Sequence, residues 1–299
     1  MAKLLREAKG SSAIPLTPFT EDGELDIEVL EKEIDFFCNA KVGSICTPVN
    51  VSEFMVLTEE ERLQMIKVPV DAAQGRTCII ANVAAPNVKS AVKYTEFAEK
   101  CGADALIAMP PYVGELDFAG VKQFFAQIAE ATSLPIMVQN MQFSNISLST
   151  DNIIELCEMA PNIAWVKQEV PPAPVSVENL RLKNSPAVEG YMSGYSGTYS
   201  IQDFENGAIG TIHAGEYCDI MQRIWDLMDE GKMAEARKLH AALTPALVLE
   251  GIYTWQYCKY ILQKRGIFKN YNVRNRCAPL SNGAIREFDE IWEHVQTLL

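Results

Sequence analysis

Along the first two-thirds of this 299-residue chain, short, continuously apolar runs alternate with amphipathic segments, and that alternation constrains the fold more than any other feature. The runs fall at 13–19, 44–49, 78–83, 105–109, 136–139, 163–167, 188–192 and 209–212. Between them lie helical patterns: Leu30, Ile34 and Phe37 recur at spacings of four and three, and later segments cover about 87–100, 117–131, 150–158, 175–184 and 198–206. Thr58 reads as an N-cap with Glu61 placed for a capping box. Strands without polar alternation suit a sheet covered on both faces, and strictly alternating strands and helices make that sheet parallel. Eight such units predict a closed (β/α)8 TIM barrel over residues 1–215. Beyond it, helical patterns at 216–247 (read as two helices), 249–264 and 284–298, punctuated by Gly251, Gly266 and Gly283, predict a C-terminal helical extension. No linker separates 216–299, so the extension is expected to pack on the barrel as one structural unit.

A formal net charge of −13 argues against a nucleic-acid or anionic membrane surface as partner. No apolar run reaches the length of a transmembrane helix, and the opening Met1-Ala2-Lys3-Leu4-Leu5-Arg6-Glu7 lacks the apolar core of a signal peptide. The eight cysteines form no C-x-x-C pair, which predicts free thiols in a reducing cytoplasm. With three histidines scattered over the chain, no metal site is expected.

In barrels of this type the reacting groups sit at the carboxyl ends of strands. In the stretch Ile163-Ala164-Trp165-Val166-Lys167-Gln168-Glu169, the sixth apolar run ends in Lys167, where a solvated lysine is out of place. Strand alternation turns Lys167 and Glu169 to one face and Gln168 to the other. An amine shielded from water loses its charge more readily, and a neutral amine attacks a ketone to form an imine. Glu169 is either a salt-bridge partner or a proton carrier beside that amine. The other strand ends contribute Asn50, Val51 and Ser52, then Tyr112, Gln139, Ser193 and Gly194, and finally His213. For Tyr112 core filling competes with a role in binding, and for His213 a satisfied barrel-end histidine does. Gly194 and Gly197 read as turn geometry more readily than as a phosphate loop.

Several stretches carry a resemblance. These are Ile14-Pro15-Leu16-Thr17-Pro18-Phe19 with Asp22-Gly23, Ser52-Glu53 with Leu57-Thr58 and Glu61-Arg62, Pro110-Pro111-Tyr112, Val166-Lys167 and Ser193-Gly194. With them the chain resembles, over nearly its whole length, the dihydrodipicolinate synthase / N-acetylneuraminate lyase family of class I lyases. The resemblance implies a barrel with a helical extension, a homotetramer built as a dimer of dimers, and a Schiff base between Lys167 and a small-molecule 2-oxo acid, with no other cofactor. The sequence also departs from the family pattern. The turn that usually reads Gly-Thr-Thr-Gly-Glu is Val49-Asn50-Val51-Ser52-Glu53, whose backbone N–H groups can still hold a carboxylate. The family's strand-5 tyrosine is Gln139, a carboxamide that cannot relay protons, and its following arginine has Ser144 nearest its place.

Val138-Gln139-Asn140, Lys167-Gln168-Glu169 with Pro171-Pro172, and Gly194-Tyr195-Ser196-Gly197-Thr198-Tyr199 look like the dehydratase-type members. Those include 2-keto-3-deoxy-L-arabonate dehydratase and pyrroline-4-hydroxy-2-carboxylate deaminase, in which a glutamate two residues after the lysine moves protons. The resemblance therefore implies a dehydratase of a 2-keto-3-deoxy sugar acid, with Lys167 and Glu169 catalytic. The amides around Asn50, Val51 and Ser52 would bind the substrate carboxylate, and Tyr112, Gln139, Ser193 and His213 the distal hydroxyls. A pyruvate-releasing aldolase or dihydrodipicolinate synthase-like carbon–carbon lyase is the alternative, and a non-catalytic barrel that binds 2-oxo acids is a further one.

Overall fold

The computed structural model describes residues 8–114, 116–141, 146–275 and 277–299; residues 1–7 and Ser144 lie outside them. Eight strands run β1 (Gly10–Ile14), β2 (Ser44–Thr47), β3 (Cys78–Asn82), β4 (Ala105–Ala108), β5 (Ile136–Asn140), β6 (Ile163–Gln168), β7 (Gly190–Ser193) and β8 (Gly210–Ala214). Each pairs in parallel with the next, and β1 pairs with β8, which closes the barrel. Among the described residues, seven α-helices cover it: α1 (Ile27–Asn39), α2 (Glu59–Ala73), α3 (Val88–Cys101), α4 (Phe118–Glu130), α5 (Thr150–Met159), α6 (Ala173–Lys183) and α7 (Ser200–Glu205).

The uninterrupted apolar strands have the expected cause. Ile14, Cys46, Ile80, Ile107, Met137, Trp165, Met192 and Ile212, one from each strand, fill the interior as a packed core. Their strand neighbours, such as Ala81, Leu106, Val138 and Val166, pack outward against the helices. Trp165 is wholly buried on the floor below the mouth, and it fits because β7 offers Gly190 there: an added Cβ would lie 2.3 Å from the indole ring.

The first strand differs most from the sequence pattern. The first apolar run suggested a strand at 13–19, but β1 lies at Gly10–Ile14 and residues 15–19 leave the sheet. Pro15 and Pro18 have no N–H to give, so that stretch cannot pair on both sides. The capping box at α2 forms as expected, with Thr58 Oγ1 accepting from Glu61 N–H at 3.2 Å and Thr58 N–H donating to Glu61 at 2.9 Å.

The extension comprises α8 (Cys218–Asp229), α9 (Met233–Tyr253), α10 (Trp255–Lys264) and α11 (Asn282–Gln296). Gly251 does not divide it but lies inside α9; the break is Thr254, at φ 39° and ψ −108°. A tertiary contact accompanies the break, because Trp255 Nε1 donates to Asn50 O at 3.0 Å and ties the start of α10 to the β2 turn. Trp225, Leu247, Tyr257 and Phe288 of the extension share one core with Val177 of α6 and Ile201 of α7. Among the described residues, no helix is long and apolar enough to cross a membrane.

Candidate active site

The end of β6 places Lys167 in the barrel mouth, 3% exposed, one alternation above Trp165. The ladder continues one residue past the strand, since Glu169 N–H donates to Asn140 O at 2.8 Å. Glu169 therefore keeps the inward face, and its Oε2 lies 3.1 Å from Lys167 Nζ. Gln168 turns outward, where its side-chain oxygen accepts from Asn140 Nδ2 at 3.0 Å.

Gln139 is the register partner of Lys167 across β5 and β6. Its Nε2 donates to the same Glu169 Oε2 at 2.9 Å. Two donors on one oxygen fix the carboxylate's orientation. The other oxygen, Oε1, rests over Gly194, where an added Cβ would lie 2.1 Å away. So Gly194 is needed for close approach, and β7 supplies the floor on which Glu169 stands.

The β2 turn forms the facing wall. It is a 3-10 turn over Asn50–Ser52. Ser52 N–H and Glu53 N–H donate back to Val49 O and Asn50 O, both at 2.9 Å. The first two amides of such a turn, those of Asn50 and Val51, have no carbonyl within it to donate to. Asn50 Nδ2 points to Met141 Sδ at 3.6 Å, and Gln139 Nε2 reaches the same sulfur at 3.2 Å, so the turn and β5 meet there. Tyr112 packs edge-on to Phe54 with ring centroids 5.7 Å apart and touches the same apolar group as Met141. Burial pushes its phenol above the usual range, while the guanidinium of Arg62 pulls the other way.

The chain as a whole matches a known family. Residues 7–295 fit the model of the dihydrodipicolinate synthetase family. The chain belongs to that family. It is similar to L-2-keto-3-deoxyarabonate dehydratase of Azospirillum brasilense, 26% identical over 274 residues that cover 89% of this chain and 88% of the relative. It is also similar to 4-hydroxy-tetrahydrodipicolinate synthase of Chlorobium chlorochromatii, 27% identical over 293 residues covering 94% and 95%. Among solved structures, 4-hydroxy-tetrahydrodipicolinate synthase of Methylacidiphilum fumariolicum superposes with a TM-score of 0.90 over 97% of both chains. At 23% identity that likeness speaks for the fold. Membership makes this chain an enzyme of the lyase class; the substrate is a separate question.

Within the family frame, three residues singled out from the sequence face away from the mouth or bond elsewhere. His213 neighbours the interior residue Ile212 on β8 and so faces the helices, not the mouth. Its ring bonds Ser11 Oγ and Ala214 O, each at 2.7 Å, and burial lowers its pKa to about 4, so it stays neutral. Ser193 likewise alternates with the interior residue Met192 and turns toward Asp203 on α7, whose carboxyl is raised to about 6 by burial. The Ser52 hydroxyl is spent on Pro15 O at 2.6 Å and on Val49 N–H at 3.2 Å. Strand parity could have placed His213 and Ser193 had the register of β7 and β8 been known; the apolar runs alone do not give it. Lys167, Glu169, Gln139 and Gly194 converge, with the Asn50–Val51 amides and Tyr112 on the surrounding walls.

Sequence reasoning missed three groups. Met141 joins Asn50 to Gln139, Arg62 lies under Tyr112, and α9 and α10 reach the site through Glu250, His240 and Trp255. Glu250 had a readable signal, an acid directly after the apolar stretch Ala246-Leu247-Val248-Leu249.

Proposed function

We propose that this family member forms a Schiff base through Lys167 and eliminates water from a 2-keto-3-deoxy sugar acid. The observation that carries the reading is the buried ammonium–carboxylate contact of 3.1 Å on one strand face, with Gln139 where a proton-relaying phenol is absent. Lys167 Nζ adds to the C2 ketone and, with loss of water, gives an imine. Its protonated form draws electrons from the C3–H bond, and Glu169 takes that proton. The enamine then pushes out the C4 hydroxyl, which leaves as water on receiving a proton from Glu169. Hydrolysis of the remaining iminium releases product and restores the amine. General acid–base help of this type is worth roughly 10²–10⁴-fold. The Asn50 and Val51 amides are the donors for the substrate carboxylate. The similarity to an arabonate dehydratase supports the water-eliminating branch. No metal or organic cofactor enters this scheme, because the iminium is the electron sink. A cytoplasmic location and a homotetramer belong to the same proposal.

The similarity to 4-hydroxy-tetrahydrodipicolinate synthases favours a second reading, a carbon–carbon lyase that takes or releases pyruvate. Borohydride treatment in the presence of a panel of 2-oxo-3-deoxy acids and pyruvate separates the two. Intact mass should show one adduct per chain, mapped to Lys167, with a five- or six-carbon deoxy acid. Trapping of pyruvate alone, with pyruvate release in a lactate dehydrogenase coupled assay, would move the assignment to carbon–carbon chemistry. No adduct with any 2-oxo acid would end the Schiff-base reading.

A further inference from the structure

The turn after β7 adopts a costly conformation and is gripped from outside the barrel. Tyr195 and Ser196 stand at φ 51° and 55°, followed by Gly197 at 76°. Left-handed backbone is costly for a residue with a Cβ, so two in succession persist only where their surroundings over-determine them. Local bonds help: Gly197 N–H reaches Gly194 O at 3.1 Å and Ser200 Oγ reaches Gly197 O at 2.8 Å. The rest comes from α9. His240 Nε2 donates to Gly197 O at 2.9 Å, and the Ser196 hydroxyl donates to the carboxyl of Glu250.

Glu250 is an odd residue for its place. It is buried on α9, in a cluster with Glu216 and Cys258 whose ligating atoms lie within 4.8 Å of one another. A buried carboxyl is expensive unless bonded, and apolar packing alone gives no reason for one. Burial and then Glu216 push its carboxyl well up, as expected for two buried acids that cannot both ionise. The turn's other face is the wall of the site: Gly194 lies under Glu169 Oε1, and Tyr195 feels the Glu169 charge.

We propose that Glu250 is a positioning residue, which through its bond to Ser196 holds the 194–197 turn against Glu169 and so sets where that carboxylate meets the substrate. The extension is thereby part of the catalytic geometry. The functional half of this inference rests on the reading in which Glu169 moves the proton; the structural half does not.

The test uses the full-length protein with Ser196→Ala, Glu250→Ala and Glu250→Gln. Amide hydrogen exchange over residues 194–199 reads the turn without any substrate. It should quicken in Ser196→Ala and Glu250→Ala and stay near wild type in Glu250→Gln, whose carboxamide still accepts from Ser196. On the substrate that wild type turns over, kcat should fall by up to roughly a hundredfold in the two alanine variants. KM and borohydride trapping on Lys167 should change little, and Glu250→Gln should restore most of the loss. Should Glu250→Ala not fold, Ser196→Ala, which loses one half-buried hydroxyl, carries the test. Unchanged exchange in Ser196→Ala overturns the proposal, as does a loosened turn with unchanged kcat or a Glu250→Gln as impaired as Glu250→Ala. If wild type traps no 2-oxo acid, the Schiff-base reading fails, and the exchange result still decides whether Glu250 holds the turn.

Discussion

Among the described residues two lysine–glutamate pairs are largely buried, and they differ in how completely they are enclosed. Lys259 of α10 meets Glu53 of the β2 turn at 2.5 Å, with both side chains wholly enclosed. Every charge there is answered: Lys259 also donates to Asn272 O at 2.7 Å and sits 4.4 Å from the Phe19 ring centroid. The other Glu53 oxygen accepts from the amides of Arg274 and Asn275 at 2.9 and 2.7 Å. Burial lowers the Lys259 pKa and Glu53 opposes the shift. Lys167 and Glu169 lie farther apart, at 3.1 Å, and Glu169 keeps 12% of its side chain exposed at the mouth. A closed pair of this kind fastens the extension to the barrel, whereas on the proposed reading the half-open one holds an amine for the substrate. Burial of a charge is thus no sign of chemistry by itself. What matters is whether the partners leave room for a reacting atom.

The sharpest way to break the comparison is to exchange the consequences. Lys167→Ala should lose the borohydride adduct and all measurable turnover while its unfolding midpoint stays close to that of wild type. A large loss of stability would mean that this pair too is a fastener. Glu169→Gln should keep the adduct, and its kcat should fall roughly 10²–10⁴-fold, as expected when a general acid–base is removed. Full turnover in that variant would hand the proton transfer to another group.

Lys259→Met should do the opposite. Leaving Glu53 buried without its cation costs about 3–5 kcal/mol, read by urea unfolding, while the folded fraction should still trap its 2-oxo acid on Lys167. A stable but untrappable variant would erase the distinction between the pairs. Asp203 gives the smallest and cleanest control, a buried carboxyl with no lysine at all. Its pKa is raised from 3.8 to about 6, so the folded state holds its proton more tightly than the unfolded chain and its contribution to stability falls as pH rises through that window. Asp203→Asn should therefore gain on wild type from pH 4 upward and level off above pH 6, by about 3 kcal/mol at most, in unfolding measured across that range. A difference that does not change with pH would show that Asp203 is as well solvated folded as unfolded.

The sequence by itself determined the barrel and the face-sharing of Lys167 with Glu169. Both follow from periodicity: apolar runs and amphipathic stretches repeat at the spacing of strands and helices, and residues two apart on a strand share a side. Strand ends were less legible. The 13–19 run is apolar like a strand, yet its prolines push β1 back to Gly10–Ile14, and His213 and Ser193 face outward because register, not composition, sets parity. The distinction between the two lysines was not legible at all. Lys259 sits in Trp255-Gln256-Tyr257-Cys258-Lys259-Tyr260-Ile261-Leu262, as apolar a setting as that of Lys167. Only the tertiary structure decided between them. Residues 206 positions apart close one lysine in, and the parallel register of β5, β6 and β7 leaves the other beside a carboxylate that stays partly exposed at the strand ends. Local sequence encodes which face a side chain takes; it does not encode which distant groups arrive to enclose it.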